Sequence, residues 1–150
     1  MKVGVLFPFR FEDPGEFLAD ARAMEAAGVD SVWMEEGDGL DPMLALAAIA
    51  AVTSQIRLGL ITPDHPSPSG GRLGRGLETL QHLSRQRVIT DNQRWRRVDV
   101  PADREAWAVT LAEAKPDFEG VLVPMDPRLL DMLRHPDEAI DRSDLLLAQG

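Results

Sequence analysis

The chain has 150 residues, a net charge of −9 and no cysteine. A chain of this length is large enough to fold around one core, so we expect a single domain over residues 1–150. The lack of cysteine excludes disulfides, thiolate metal sites and cysteine nucleophiles, and it suits a reducing cytoplasm. The acidic charge disfavours nucleic-acid binding, and no apolar run is long enough to span a bilayer. We therefore expect a cytoplasmic protein with no nucleic-acid or membrane partner and no signal peptide.

The first predicted unit is a strand followed by a capped helix. Lys2 to Phe7 is nearly all apolar, which is typical of a strand covered on both faces in a parallel sheet. Asp13 then supplies an N-cap acceptor, and Pro14 suits the first helical position. Gly28 provides the left-handed residue that ends a helix.

The stretch from Asp30 to Thr62 gives the clearest pattern in the chain. Two short runs, Ser31 to Met34 and Ile56 to Thr62, flank the continuous apolar segment Met43 to Val52. This segment is too long for a strand and suits a buried helix. Strand, helix and strand over about thirty residues form a βαβ unit, whose two strands are parallel.

The second half of the chain is less regular. Residues 63–71 contain three prolines and predict a loop, after which leucines recur at helical spacing up to Leu83. The further predictions are a short strand (Arg87 to Thr90), an irregular polar segment (Asp91 to Pro101), a helix (Asp103 to Ala114), a strand (Glu119 to Val123) and a helix opened by Asp126 and Pro127. Leu145 to Leu147 suits either a sixth strand or a short helix.

Aspartate followed by proline recurs a few residues after three of the predicted strands. The three aspartates are Asp13, Asp41 and Asp126. At each position the carboxylate can accept hydrogen bonds from the free amide groups of a helix N-terminus. We therefore assign these aspartates a structural role.

Candidate binding residues follow from the place where parallel sheets and barrels hold their sites, the carboxyl ends of the strands. The predicted strand ends are Phe7 to Phe9, Met34 to Glu36, Thr62 to His65, Thr90 to Asn92 and Pro124-Met125, and from them we take Phe7, Glu35, Thr62 and Asn92 as candidates. A solvated acidic loop is an alternative interpretation of the segment that contains Glu35.

One candidate catalytic residue lies in the proline-rich loop. Asp64 and His65 are the only adjacent acid and imidazole in the chain. A loop at a strand end can position a proton-transfer residue, so we take His65 as the catalytic candidate; a histidine exposed to water is the alternative. Three scattered histidines without cysteine do not form a zinc signature, and we predict no metal site.

The segment Arg94-Trp95-Arg96-Arg97 runs against the acidic charge of the chain. Interleaved arginine and tryptophan can hold a phosphate or a stacked base. The alternative is a solvated, charged face.

Three segments together resemble a known family: Ala23 to Trp33, Asp41 to Leu60 and Leu77 to Ser84. Their order and spacing resemble the first four βα units of the luciferase-like flavin-dependent monooxygenases and their deazaflavin-using relatives. That family has (β/α) eight-fold barrels. The resemblance covers roughly the first ninety residues.

The resemblance implies a fold, a cofactor and a partner. Because this chain is less than half the usual length, it implies an α/β fold in which parallel βα repeats form a partial, shortened TIM-barrel-like sheet. It implies FMN or a deazaflavin, with the ring over the strand ends at Phe7, Glu35 and Thr62 and near Asn92. A partial barrel has open edges that a protein must hide, so we also expect a homodimer.

Two functions are compatible with the resemblance. The first is a flavin- or deazaflavin-linked oxidoreductase of the luciferase-like monooxygenase type. The second is a non-catalytic, truncated barrel that binds a flavin or another small ligand, or that serves in assembly. Two departures bear on the choice. The segment Glu35-Glu36-Gly37-Asp38 has no histidine where the family commonly has histidines near the flavin, and Arg85, Gln86 and Arg87 stand where the family usually has a glycine pair before a strand.

Overall fold

The computed structural model describes residues 1–8, 10–62 and 72–134. Within this part of the chain, strands and helices follow each other in the order β1 (Lys2–Leu6), α1 (Pro14–Ala26), β2 (Ser31–Glu35), α2 (Pro42–Val52), β3 (Arg57–Ile61), α3 (Arg72–Leu83), β4 (Val88–Ile89), β5 (Trp95–Arg97), α4 (Arg104–Ala114), β6 (Gly120–Pro124) and α5 (Pro127–Arg134). His65 and Leu145 to Leu147 lie outside the described residues.

The predicted helix caps are confirmed. Asp13 accepts hydrogen bonds from the backbone N–H groups of Gly15 and Glu16, and Asp41 accepts them from Met43 and Leu44. The starts of α4 and α5 are held in the same way: Asp103 accepts from the Ala106 N–H, and Asp126 accepts from the Arg128 N–H. The aspartates therefore satisfy amide groups that a helix N-terminus otherwise leaves unpaired.

The prediction of an irregular segment between Asp91 and Pro101 is wrong in its middle, where β5 forms. This strand has three residues, and two of them are arginines, so it has almost none of the apolar pattern that identifies a strand. It forms because its backbone pairs with β6, which lies about twenty-five residues further along the chain, at the register Trp95 opposite Gly120.

All five strand pairs of the sheet are parallel, and the strand order is β4-β3-β2-β1-β6-β5. The first strand therefore lies in the middle, between β2 and β6. Except between β4 and β5, helices follow the strands as crossover connections, and this arrangement confirms the α/β fold of parallel βα repeats.

The sheet is curled into a half-barrel. Trp33 on β2 and Trp95 on β5 are three strands apart, which would separate them by about 14 Å in a flat sheet. Their ring centroids are 5.3 Å apart. The two tryptophans meet on the concave face, where Ile61 and Leu122 complete a small apolar layer. The partial TIM-barrel-like sheet that the resemblance implies is therefore confirmed.

Glycines make room for the two tryptophans. A Cβ atom at Gly59 would overlap the Trp33 ring, and a Cβ atom at Gly120 would overlap the Trp95 ring. The indoles therefore lie directly on the backbone of neighbouring strands and fill the part of the concave face between them.

The convex face carries the larger apolar core. Residues that alternate with the concave layer, such as Val32, Leu58 and Val121, are fully buried against the helices. Leu46 and Ile49 of α2 and Met24 of α1 cover them from outside. The strands β1, β2, β3 and β6 are thus largely buried on both faces, as expected for a parallel sheet, whereas the edge strands β4 and β5 are partly exposed.

The connection between β4 and β5 limits how far the two free edges of the sheet can separate. Six peptide steps lead from Ile89 to Trp95, and six steps span at most about 20 Å.

The free edge of β4 is covered by a side chain. The side-chain amide of Gln81 donates to the Val88 carbonyl (3.2 Å) and accepts from the Val88 N–H (3.1 Å). Gln81 therefore occupies the positions that another strand would use.

The turn before β4 explains one departure from the family pattern. Arg85 and Gln86 have φ angles of +55° and +66°. These are left-handed conformations that glycine adopts most easily. The backbone thus keeps the shape that a glycine pair would favour, although the side chains differ.

Candidate active site at the carboxyl end of the half-barrel

The carboxyl ends of the strands place a defined set of side chains at the mouth of the half-barrel. Side chains alternate between the two faces of a strand, so the residue two positions after a concave one is also concave. Glu35 therefore follows Trp33 on β2, Arg97 follows Trp95 on β5, and Pro124 follows Leu122 on β6.

Glu35 and Arg97 form an ion pair across this mouth. Arg97 donates from Nη2 to Glu35 Oε1 (2.6 Å) and from Nη1 to Glu35 Oε2 (3.3 Å). The Arg97 side chain is 52% exposed and that of Glu35 is 31% exposed. The pair joins strands that are three positions apart in the sheet, and it remains accessible to a ligand.

A cleft of about 570 Å³ lies beside Arg97, and we name it the mouth cleft. It extends from the ends of β1, β5 and β6 to the outer surface of α4. Its lining is formed by Leu6, Arg96, Arg97, Val98, Asp99, Val100, Pro101, Ala106, Thr110, Glu113, Leu122 and Pro124. Apolar and polar groups contribute about equally to this lining, and clefts that combine the two are candidate small-molecule sites.

A second cleft of about 710 Å³ lies between the loop after β2 and helix α3. Thr62, Leu60 and Gly76 form one side, and the segment from Glu36 to Leu44 contributes the other. Its strand residues belong to the convex side of the sheet. Thr62 immediately precedes residues 63–71, which lie outside the described residues.

The predicted binding residues do not form one cluster. Glu35 lies at the mouth, whereas Thr62 is exposed and lines the second cleft. Phe7 is only 2% exposed, and its ring packs edge-on against Phe17 at 5.5 Å between centroids. Asn92 is half-buried in the turn between β4 and β5, where its carbonyl accepts from the Trp95 N–H (3.0 Å).

The sequence interpretation missed the role of Arg97. The basic segment was predicted to contact a phosphate or a base, or to form a solvated face. In the structure, Arg97 faces Glu35, while Arg96 points to the opposite side of β5 and is exposed. In a strand, residues two positions apart lie on the same face, so the spacing from Trp95 to Arg97 could have placed both on one face. The sequence pattern did not identify this segment as a strand.

Residues 1–8, 10–62 and 72–134 contain no group of three or more histidine, aspartate or glutamate side chains placed to hold a metal ion. In the same ranges, no helix has the length and the apolar character needed to cross a membrane.

The family model described as luciferase-like monooxygenase matches residues 1–90, which is more than half of the chain. The chain belongs to the luciferase-like monooxygenase family. The match covers β1 to β4 and includes Glu35, whereas Arg97 and most of the mouth cleft come from the part of the chain beyond it. The ion pair therefore joins the segment that the family model describes to the segment that follows.

Among solved structures, the chain is similar to the crystal structure of the monooxygenase RslO1 from Streptomyces bottropensis, with 23% sequence identity and a TM-score of 0.49. The similarity covers 79% of this chain and 40% of that chain. The matched part of this luciferase-like chain thus covers less than half of RslO1. No curated protein matches the sequence.

Proposed function

We propose that the protein is a flavin- or deazaflavin-linked oxidoreductase of the luciferase-like monooxygenase type, and that the cofactor ring binds in the mouth cleft. The family match over residues 1–90 is the observation that carries this proposal. Members of this family generally use a reduced flavin or deazaflavin. The cleft lies at the carboxyl ends of parallel strands, where barrel enzymes place their sites.

The residues of the mouth cleft fit such a ring. A volume of about 570 Å³ falls within the usual range of ligand pockets, roughly 300 to 1,000 Å³. Leu6, Leu122 and Pro124 supply an apolar floor, and Val98 and Val100 supply an apolar wall. When bound, the reduced ring supplies the electrons of the reaction, and the protein positions it and excludes water.

The residues predicted from the strand ends differ in their position relative to the mouth cleft. Glu35 holds the guanidinium of Arg97 at the rim of the cleft. Phe7, Thr62 and Asn92 do not line the mouth cleft, so their cofactor-binding roles stay predictions from the sequence, as does the proton-transfer role of His65.

The proposal is tested by titration with FMN and with a deazaflavin, followed by fluorescence. Ala106 lines the mouth cleft, whereas Ala108 is exposed on the same helix and does not line it. Ala106→Phe is expected to weaken binding at least tenfold because the ring occupies cleft volume, and Ala108→Phe is expected to leave binding unchanged. Absence of binding by either cofactor to the unmodified protein would overturn the proposal.

The alternative, a non-catalytic member, is favoured by one observation. The concave face is filled by Trp33 and Trp95, and its rim is joined by the Glu35–Arg97 pair. A protein that binds the cofactor but does not accelerate oxidation of its reduced form has this second function. Oxygen uptake with reduced FMN, compared with a protein-free control, separates the two functions.

We also propose that the protein forms a homodimer through α2. No residue between Pro42 and Val52 is charged, yet Leu44 is 71% exposed. An apolar groove of about 260 Å³ beside it is lined by Phe11, Leu18 and Leu40, among others. A leucine next to an apolar groove is self-complementary under a two-fold axis.

The dimer is tested by measuring molar mass at micromolar concentration. Leu44→Lys is expected to give a monomer. Val109→Lys, at a position of 52% exposure on α4, is the matched control and is expected to keep the dimer. A monomeric unmodified protein would contradict this proposal.

A further inference from the structure

The guanidinium of Arg97 retains hydrogen-bonding capacity at the rim of the mouth cleft. An arginine side chain has five N–H donors, and Glu35 receives one from each of Nη1 and Nη2. The remaining three N–H groups have no acceptor within the described part of the chain. Half of the side chain is exposed, so a second anionic group can reach it without burial of the charge.

The surroundings of Arg97 determine which ligand would use these donors. Leu6, Leu122 and Pro124 form an apolar floor that suits a flat hydrophobic body. The other charged side chains of the lining are Arg96, Asp99 and Glu113, so the cleft has no net excess of either sign. Recognition of an anion here therefore depends on the local geometry of Arg97 and not on the general field of a protein with a net charge of −9.

We infer that the mouth cleft selects flat, apolar ligands that carry an anionic group, and that Glu35 competes with this group for Arg97. The inference rests on the proposed function only in placing the ligand in the mouth cleft. A guanidinium binds a carboxylate, sulfonate or phosphate by paired N–H donors. The carboxylate of Glu35 holds Arg97 in place in the empty cleft and repels the incoming anion.

Glu35 and Arg97 therefore have opposite effects on affinity. Removal of the Arg97 charge abolishes the contact to the anionic group. Removal of the Glu35 charge leaves the guanidinium to the ligand alone and strengthens that contact. A purely structural ion pair would instead make the two substitutions equivalent, because either one breaks the same bridge.

The test uses two fluorescent probes with the same aromatic body. Anilinonaphthalene sulfonate carries an anionic group, and N-phenylnaphthylamine lacks it. Arg97→Gln is expected to lower the affinity for the sulfonate about tenfold and to leave that of the uncharged amine within about twofold. Glu35→Gln is expected to raise the affinity for the sulfonate about fivefold.

Three control variants accompany the test. Arg94→Gln removes the same charge from the opposite end of β5 and is expected to change neither affinity. Ala106→Phe is expected to lower the affinity for both probes, and this result would locate them in the mouth cleft. Arg97→Lys keeps the charge but not the paired donors, so its affinity for the sulfonate is expected to lie between those of the unmodified protein and Arg97→Gln, which separates loss of charge from loss of folded protein.

Any of three results would overturn the inference. The first is that Arg97→Gln lowers the affinity for both probes equally, the second is that Glu35→Gln binds the sulfonate more weakly, and the third is that neither probe binds the unmodified protein. The probes contain no flavin, so the result is independent of the proposed cofactor. If the protein binds flavin but the two substitutions do not have the expected effects on sulfonate affinity, the proposed function is supported and the inference is overturned. If the substitutions have these effects but no flavin binds, the inference is supported and the proposed function is overturned.

Discussion

The two ends of the half-barrel differ in how their polar groups are satisfied. At the amino end, charged side chains reach into turns and bind several backbone groups at once. Both ends have a partly exposed ion pair, Lys2–Glu119 at the amino end and Glu35–Arg97 at the carboxyl end, but only Glu35–Arg97 lies beside the mouth cleft. The comparison is consistent with our proposal that ligands bind at the carboxyl end while the amino end maintains the fold, a division known from barrel enzymes.

Arg87 shows how the amino end is held together. Its guanidinium donates to the carbonyl groups of Ala50, Thr53, Ile56 and Ser84, and to the Thr53 hydroxyl. These groups lie at the end of α2, in the turn before β3 and at the end of α3. One side chain thus joins two helix ends to the start of a strand.

Glu25 has the complementary role. Its Oε1 atom accepts hydrogen bonds from the N–H groups of Ser54 (2.9 Å), Gln55 (2.6 Å) and Ile56 (3.0 Å). Burial alone would raise the pKa of Glu25, but these three hydrogen bonds and the nearby positive charge of Arg87 lower it overall. The carboxylate therefore stabilises the turn that leads into β3.

The largest expected effect comes from Arg87→Met. This substitution leaves several buried carbonyl groups without a donor, and we expect a loss of about 3 kcal/mol in the free energy of unfolding. Chemical denaturation measures it. Arg85→Met removes the same charge two residues away, at an exposed position, and is expected to cost less than about 0.5 kcal/mol. Equal losses in both variants would contradict the role assigned to Arg87.

Glu25→Gln is expected to cost about 1 to 2 kcal/mol at neutral pH, because a neutral amide accepts the three hydrogen bonds less well. Since the folded pKa lies below the ordinary value of 4.5, the contribution of Glu25 is complete above pH 4.5 and is lost as the pH falls further through the folded pKa. The difference between Glu25→Gln and the unmodified protein should therefore shrink in acid. A difference that is constant with pH, or one matched by the exposed control Glu78→Gln, would refute this account.

A substitution at Gln86 is expected to raise the free energy of unfolding by a smaller amount. A left-handed conformation costs a non-glycine residue about 1 to 2 kcal/mol, part of which is offset by the greater flexibility of glycine in the unfolded chain. Gln86→Gly should thus stabilise the protein by about 0.5 kcal/mol in thermal or chemical denaturation. Gln93→Gly, at a position without a positive φ angle, should destabilise it instead.

The smallest effect on stability is expected at the carboxyl end. Exposed ion pairs contribute about 0 to 1 kcal/mol, so Arg97→Gln should change the free energy of unfolding by less than about 0.5 kcal/mol. If Arg97→Gln lowered the free energy of unfolding as much as Arg87→Met, the Glu35–Arg97 pair would be needed for the fold, and the contrast between the two ends would no longer hold.

Local signals made the first half of the chain predictable. The Asp-Pro caps, Gly28 and the apolar runs from β1 to β3 each depend on neighbouring residues only, and they were read correctly. The family resemblance added the curl of the sheet. The parallel arrangement followed from the βαβ spacing alone.

Long-range contacts explain what the sequence did not reveal. The pairing of β1 with β6 and the formation of β5 join residues far apart in the chain, so no local pattern contains them. The contact between Trp95 and Trp33 shows which side of β5 is concave, and Arg97 is a candidate binding residue because it lies on that side. The binding roles of Phe7, Thr62 and Asn92 stay predictions, and His65 lies outside the described residues.

The most direct test of the central claim compares the FMN affinity of one variant from each end. Ala106→Phe narrows the mouth cleft, whereas Glu25→Gln weakens the turn at the amino end. We predict that Ala106→Phe loses at least tenfold in affinity and that Glu25→Gln binds FMN like the unmodified protein. Retained affinity in Ala106→Phe together with lost affinity in Glu25→Gln would contradict the assignment of ligand binding to the carboxyl end.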